Sequence, residues 1–150
     1  MIHYTGNKAE NIKIAYIGGG SRGWAWGFMS DLAMQKDISG EVVLYDIDAD
    51  AARANEAIGN RIPESEKDCA VWRYRTAQTI DEALEDADFV IISILPGTFH
   101  EMESDVHTPE KYGIYQSVGD TTGPGGILRA LRAIPMFEHI AHAIAGNCPE

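Results

Sequence analysis

An α/β fold with a doubly wound parallel sheet follows from three features of the 150-residue chain. Apolar runs alternate with helical patterns along its length. The run Lys13-Ile14-Ala15-Tyr16-Ile17 breaks directly into Gly-x-Gly-x-x-Gly at Gly18, Gly20 and Gly23. A second run, Val42-Val43-Leu44-Tyr45, ends on Asp46. Strand, glycine loop, helix, strand and acid, in that order, make a Rossmann-like dinucleotide-binding unit.

The first strand is expected over residues 12–17. Gly18 permits the tight turn, Gly20 lets backbone N–H groups approach a pyrophosphate, and Gly23 allows helix and strand to pack closely. A helix should run from about Ser21 to Met34, burying Trp24, Phe28 and Leu32 at a spacing of four. Its positive end would point at the phosphates. Gly40 closes the connection to a second strand over residues 41–46. Asp46 would accept hydrogen bonds from both ribose hydroxyls and repel a 2′-phosphate, which favours NAD over NADP. The alternative is an ordinary glycine-rich turn between strand and helix.

Asp48 or Asp50 can cap the next helix, whose small-residue face is Ala51, Ala54, Ala57 and Ile58. Pro63 ends it. Residues 70–74 alternate and read as a third strand with one wet side. Residues 79–87 form a short helix with a solvated acidic face. Residues 89–95 are continuously apolar, as expected of a central parallel strand covered on both faces. The polar stretch 100–112 is a helical or irregular lid. A loop of glycine, hydroxyl residues and one acid, 117–126, opens a long helix striped by Ile127, Leu131, Ile134, Ile140 and Ile144. Pro135 should kink or divide that helix, and Gly146-Asn147 should end it. In a sheet of order 3-2-1-4, nothing after residue 150 would cover the fourth strand, leaving an edge open to pairing. The expectation is one cofactor-binding domain over residues 1–150, the N-terminal part of a longer protein truncated after the fourth strand and its following helix.

Composition narrows the function classes. Twelve basic against 23 acidic residues, a formal charge of −11, disfavour nucleic acid and anionic membranes as partners. Cys69 and Cys148 are too few for a disulfide framework or a zinc cluster, and Cys69 reads as a small core residue. No run has membrane-spanning length, and the polar N-terminus lacks a signal-peptide core, so a cytoplasmic location is expected.

The chain resembles the family 4 glycoside hydrolases, and among them the α-galacturonidase and α-glucosidase-like members. The resemblance is carried by Lys13 to Ser21, by Val43-Leu44-Tyr45-Asp46, by Ala87-Asp88-Phe89-Val90 and by Lys111-Tyr112-Gly113. It continues through Gly119-Asp120-Thr121-Thr122-Gly123-Pro124-Gly125-Gly126, whose Gly-Pro-Gly-Gly is more specific than the dinucleotide motif. It implies a glycosidase that works without the usual carboxylate pair. NAD would oxidise the sugar C3 hydroxyl, a tyrosine would remove the acidified C2 proton, and a divalent metal, usually Mn2+, would stabilise the enolate. Elimination, water addition and return of the hydride would complete the cycle.

By the same resemblance Gly18, Gly19, Gly20, Ser21 and Arg22 hold the pyrophosphate and Asp46 the ribose. Ile94, Leu95 and Pro96 lie where this fold lines the nicotinamide ribose. Asp120 is the catalytic acid position, assisting leaving-group protonation or tuning the tyrosine base; its other reading is a turn residue capping its own loop. His100, His107, Lys111, Arg129 and Arg132 are available for the carboxylate of a galacturonide; His100 and Arg129 are the chosen candidates, while Arg132 reads as a solvent-facing helix residue. Leu95 stands where members acting on 6-phosphosugars carry arginine, which disfavours a phosphorylated substrate. Metal ligands are expected beyond residue 150, and the full-length protein is expected to be a homo-oligomer acting on a small-molecule glycoside. The 150-residue chain alone is expected to bind NAD weakly or not at all and to hydrolyse nothing. Two alternatives are a lactate/malate-type dehydrogenase and a non-catalytic dinucleotide sensor. The first would want an arginine-rich loop where residues 96–105 have none, and the second has no need of the Asp120 loop.

Overall fold

The computed structural model describes residues 2–65, 68–116 and 122–148, and its described strands join one five-stranded sheet. β1 (His3–Thr5) pairs antiparallel with the start of β2 (Lys8–Ile17). On one side β2 takes β3 (Ile38–Tyr45) in parallel, and β3 takes β4 (Trp72–Thr76). On the other side β2 takes β5 (Phe89–Ile92), also in parallel. The parallel order β4-β3-β2-β5 is the 3-2-1-4 arrangement of the Rossmann-like class.

β2 starts four residues before the expected strand. Gly6, at φ +61, turns the chain back into a hairpin. Asn11, at φ +60, absorbs the register shift between Ala9 and Ile12. Gly40 lies inside β3 and not in a connection. A Cβ there would stand 2.7 Å from the Ile12 carbonyl carbon, so the close passage of two backbones requires glycine.

Alternation sorts the strand residues between two faces. Ile12, Ile14, Tyr16, Val42, Leu44, Trp72 and Tyr74 form a core with α1 (Trp24–Met34) and α2 (Ala49–Gly59). Ala15, Ile17 and Val43 point the other way and are also buried. After α3 (Ile62–Ser65), α4 (Ile80–Leu84) packs on β2 and β3 with Ala83 and Leu84 fully buried.

α2 buries a face displaced by one residue from the expected one, whereas in α1 Leu32 is buried as expected, Phe28 is half-buried against the core and only Trp24 is left outside. α1 buries Ala25, Met29, Leu32 and Ala33, whereas Trp24 is 79% exposed. The spacing of four is retained, with Ala25 fully buried in the first turn. α2 buries Ala52, Asn55 and Gly59, leaving Ala54, Ala57 and Ile58 outside. It ends at Gly59, where a Cβ would press 2.6 Å from the Tyr74 ring; Pro63 falls within α3. Burial beneath this contact pushes the Tyr74 phenol above its ordinary range.

β4 alternates as expected, with Trp72 and Tyr74 buried and Arg73 exposed. The acidic face of α4 is not merely solvated: Glu82 pairs with Arg75 at 3.0 Å. β5 covers only half of the apolar run, and none of its residues is buried. It pairs with β2 alone among the described residues, so it lacks the second neighbour and double cover of a central strand. Cys69 is half-buried just before β4 and is not a core residue.

The chain divides into two compact units, Met1–Ile94 with Ala143–Glu150, and Leu95–His142. The second holds α5 (Phe99–His107), a 3-10 turn (Thr108–Tyr112) and most of α6 (Gly123–Asn147). Thr98 and Glu101 form a capping box at the start of α5, and these bonds hold the Glu101 carboxyl down at about 2. α6 passes through Pro135 undivided and ends at Asn147 as expected. Its apolar stripe is largely open, with Ile127, Leu131 and Ile134 exposed. No helix among the described residues is long and apolar enough to cross a membrane.

Candidate functional site

The loop between β2 and α1 is held by its own backbone. The N–H groups of Gly18 and Gly19 both donate to the Tyr45 carbonyl, at 2.8 and 2.9 Å, and that of Ser21 donates to the Gly18 carbonyl at 3.1 Å. Gly20 donates to Asp46 Oδ2 at 2.8 Å. Trp24 N–H donates to Ser21 Oγ at 3.2 Å, and the N–H groups of Arg22 and Gly23, at the head of α1, are the loop's backbone donors without a partner among the described residues. No acidic residue occupies the first turn of α1, so the positive end of its dipole is not neutralised locally.

Each glycine of the loop answers to a different neighbour. Gly18 sits at φ +95, and a Cβ there would lie 2.7 Å from the Ser93 carbonyl carbon and 3.4 Å from the Ile94 nitrogen. A Cβ on Gly19 would meet Leu44 at 2.8 Å; one on Gly20 would meet Ala51 at 2.8 Å and Asp46 Oδ2 at 2.9 Å. Gly23 differs from its expected role: it occupies the N-cap position of α1, and nothing lies within 4 Å of where its Cβ would be. Close packing of loop on sheet falls to Gly18, Gly19 and Gly20.

Asp46 is half-buried at the end of β3. Its Oδ1 accepts from the Asp48 N–H at 2.9 Å while Oδ2 holds Gly20. Each carboxylate oxygen keeps a second acceptor position, so the same acid can brace the loop and receive hydroxyl groups. Asp48, not Asp50, caps α2 by accepting from Ala51 N–H at 3.1 Å.

Sequence reasoning missed Asn55. The side chain is 2% exposed, and its Nδ2 donates to the Gly19 carbonyl at 2.7 Å and the Ser21 carbonyl at 3.0 Å. Its Oδ1 accepts from Trp26 Nε1 at 2.7 Å. The available signal was an asparagine in mid-helix, where it is a poor helix former.

Gly18, Gly19, Gly20, Ser21, Asp46 and Ile94 thus come together in the first unit. Arg22 is exposed beside them. Pro96, His100 and Arg129 belong to the second unit: Pro96 is buried, Arg129 half-buried, and His100 exposed with Nδ1 3.9 Å from Glu103. Arg132 is not a solvent-facing residue. Its NH1 bonds Asp105 Oδ1 at 3.2 Å and its NH2 bonds Oδ2, and the carboxylate is 7% exposed. Asp120 lies outside the described residues. Among those described, no three or more His, Cys, Asp or Glu side chains converge to hold a metal ion.

Comparison with known proteins places this geometry in a family. The model of the family 4 glycosyl hydrolases matches residues 13–150. An α-galacturonidase of Thermoanaerobacterium saccharolyticum is 64% identical over 149 residues, covering 99% of this chain and 32% of that protein. A Bacillus subtilis protein solved as a candidate glucosidase superimposes with a TM-score of 0.86 at 56% identity, over 94% of this chain and 31% of its own. A 6-phospho-β-glucosidase of Thermotoga maritima, solved with manganese, NAD+ and glucose-6-phosphate, gives a TM-score of 0.75 at 29% identity, over 91% and 32%. The chain spans about a third of the length of these relatives. It belongs to the family 4 glycosyl hydrolases.

Proposed function

We propose that the chain is the NAD-binding part of a glycosidase that hydrolyses α-galacturonides with NAD and Mn2+. The observation that carries this reading is the glycine loop clamped between Tyr45, Asp46 and Asn55, which leaves the Arg22 and Gly23 N–H groups as donors at an acid-free helix N-terminus. Those two groups would bind the pyrophosphate. Asp46 would receive the ribose hydroxyls on its free acceptor positions and reject a 2′-phosphate by charge. Ile94 and Pro96 would line the nicotinamide ribose.

NAD, when bound, supplies a reversible hydride acceptor for the sugar C3, and the metal supplies polarisation for removal of the C2 proton. By the family resemblance, the metal ligands would come from elsewhere in the full-length protein. Asp120 would act near the scissile bond, and His100 and Arg129 would meet the substrate carboxylate. Support for a galacturonide comes from the 64% identity to an α-galacturonidase and from Leu95, which replaces the arginine expected for a 6-phosphosugar. We further place the full-length enzyme in the cytoplasm as a homo-oligomer, with the 150-residue chain inactive alone.

Calorimetry on the full-length protein tests the cofactor reading, with NAD, NADP and Asp46→Asn. Wild type should prefer NAD, and Asp46→Asn should shift the preference toward NADP. Equal loss of both cofactors would assign Asp46 to loop bracing alone. Hydrolysis of an α-galacturonide dependent on both NAD and Mn2+ tests the activity, and turnover without NAD would sink it.

A further inference from the structure

We propose that Asn55 is the positioning residue that sets the glycine loop in its diphosphate-binding form; the inference rests on the NAD reading above. A trans peptide points its C=O and the following N–H in opposite directions. Drawing the Gly19 and Ser21 oxygens toward α2 therefore turns the N–H groups of Gly20 and Arg22 away from it. Gly20 then reaches Asp46, and Arg22 is presented at the head of α1.

The side chain that does this must supply two donors beneath the loop and one acceptor for Trp26. A primary amide offers both functions in one neutral group. All three positions of the Asn55 amide are engaged, at 2.7, 3.0 and 2.7 Å, in a site 2% exposed. Aspartate would face both carbonyls with negative charge, and leucine would leave them unpaired. Trp26 decides the orientation of the amide, because its indole N–H donates only and must face Oδ1. An asparagine in the middle of an otherwise alanine-rich helix, where it is a poor helix former, fits a task set by tertiary contacts.

The test uses the full-length protein, with NAD and adenosine as the two ligands. Adenosine carries no phosphate, so a residue acting through the phosphate loop should affect NAD alone. Asn55→Asp keeps the volume and the Trp26 acceptor but removes both donors. Its Kd for NAD should rise about ten- to thirtyfold, equivalent to roughly 1.4 to 2 kcal/mol. Its Kd for adenosine should stay within about twofold of wild type. If Asn55→Asp does not fold, Trp26→Phe carries the test: the amide loses the partner that fixes its orientation, and NAD binding should weaken about threefold with adenosine unchanged.

A folded variant that binds NAD like wild type would overturn the inference, as would equal weakening of both ligands. Wild type that binds no NAD would overturn the cofactor reading and this inference with it.

Discussion

Alanine substitution along the loop separates glycines demanded by geometry from one demanded only by the motif. At Gly18 two costs add. The left-handed backbone at φ +95 costs an L-residue about 1–2 kcal/mol. The Cβ would also overlap the Ser93 carbonyl, forcing β2 and β5 apart where Ser93 N–H donates to Ile17 at 2.8 Å. Overpacking of this kind costs about 1–3 kcal/mol, so both costs fall on Gly18→Ala. The two ranges add to about 2–5 kcal/mol, a large part of the stability of a domain this size, about 5–15 kcal/mol. Gly20→Ala meets only the steric cost, against Ala51 and Asp46, and should lose about 1–3 kcal/mol. Gly23→Ala meets nothing within 4 Å at φ −96. The gain from a stiffer unfolded chain and the loss of a favoured cap residue nearly cancel there, leaving a net change within about 0.5 kcal/mol. Urea unfolding followed by circular dichroism, with linear extrapolation, reads all three. A Gly23→Ala loss equal to that of Gly18→Ala would refute the reasoning and restore Gly23 to the packing role that the motif assigns it.

Three further outcomes are expected. Asn60 from just beyond α2 seals the outer edge of β4, donating to the Tyr74 carbonyl at 2.8 Å and accepting from its N–H at 2.9 Å, and Glu56 accepts from Thr76 N–H at 2.9 Å. Asn60→Leu should therefore cost about 1–3 kcal/mol and give concentration-dependent association in sedimentation, and a monomer of unchanged stability would contradict this. The Glu101 carboxyl, held at about 2 by Thr98, lies below its unfolded value of about 4.3. A depressed pKa stabilises above the unfolded value, so the cap should be at full strength above about pH 4.3 and lost as pH falls through about 2. An NMR titration in which Thr98→Ala fails to raise the Glu101 midpoint would remove its cause. Arg132→Met should make the second unit more protease-sensitive than the double variant Arg132→Met/Asp105→Leu, because the single change strands the buried Asp105 carboxylate.

Local chemistry made the architecture legible. Apolar runs ending in Gly18-Gly19-Gly20 and in Asp46 identified β2 and β3 with their order in the sheet, and Thr79 marked the start of α4. The hairpin before β2 was not read from the sequence: Gly6-Asn7 offers a turn, but the strands beside it lack the apolar alternation of a strand signal. Which face a helix buries was not readable. Period alone leaves the phase of α1 and α2 free by one residue, and packing decided it: Ala25 is buried in α1, and Gly59 of α2 clears the Tyr74 ring. Pairings across long separations were equally hidden, since Asp105 and Arg132 are 27 positions apart and each alone reads as a surface charge.

The sequence by itself determined the class of fold and the position of the loop, because these rest on short-range rules of strand, turn and backbone freedom, and its motifs carried the resemblance to the family. Only the tertiary structure decided which loop donors remain for a ligand. That outcome needs Tyr45, Asp46 and Asn55, all distant in sequence, to engage the other peptide groups first, and hydrogen-bond competition of this kind exists only once the chain has folded.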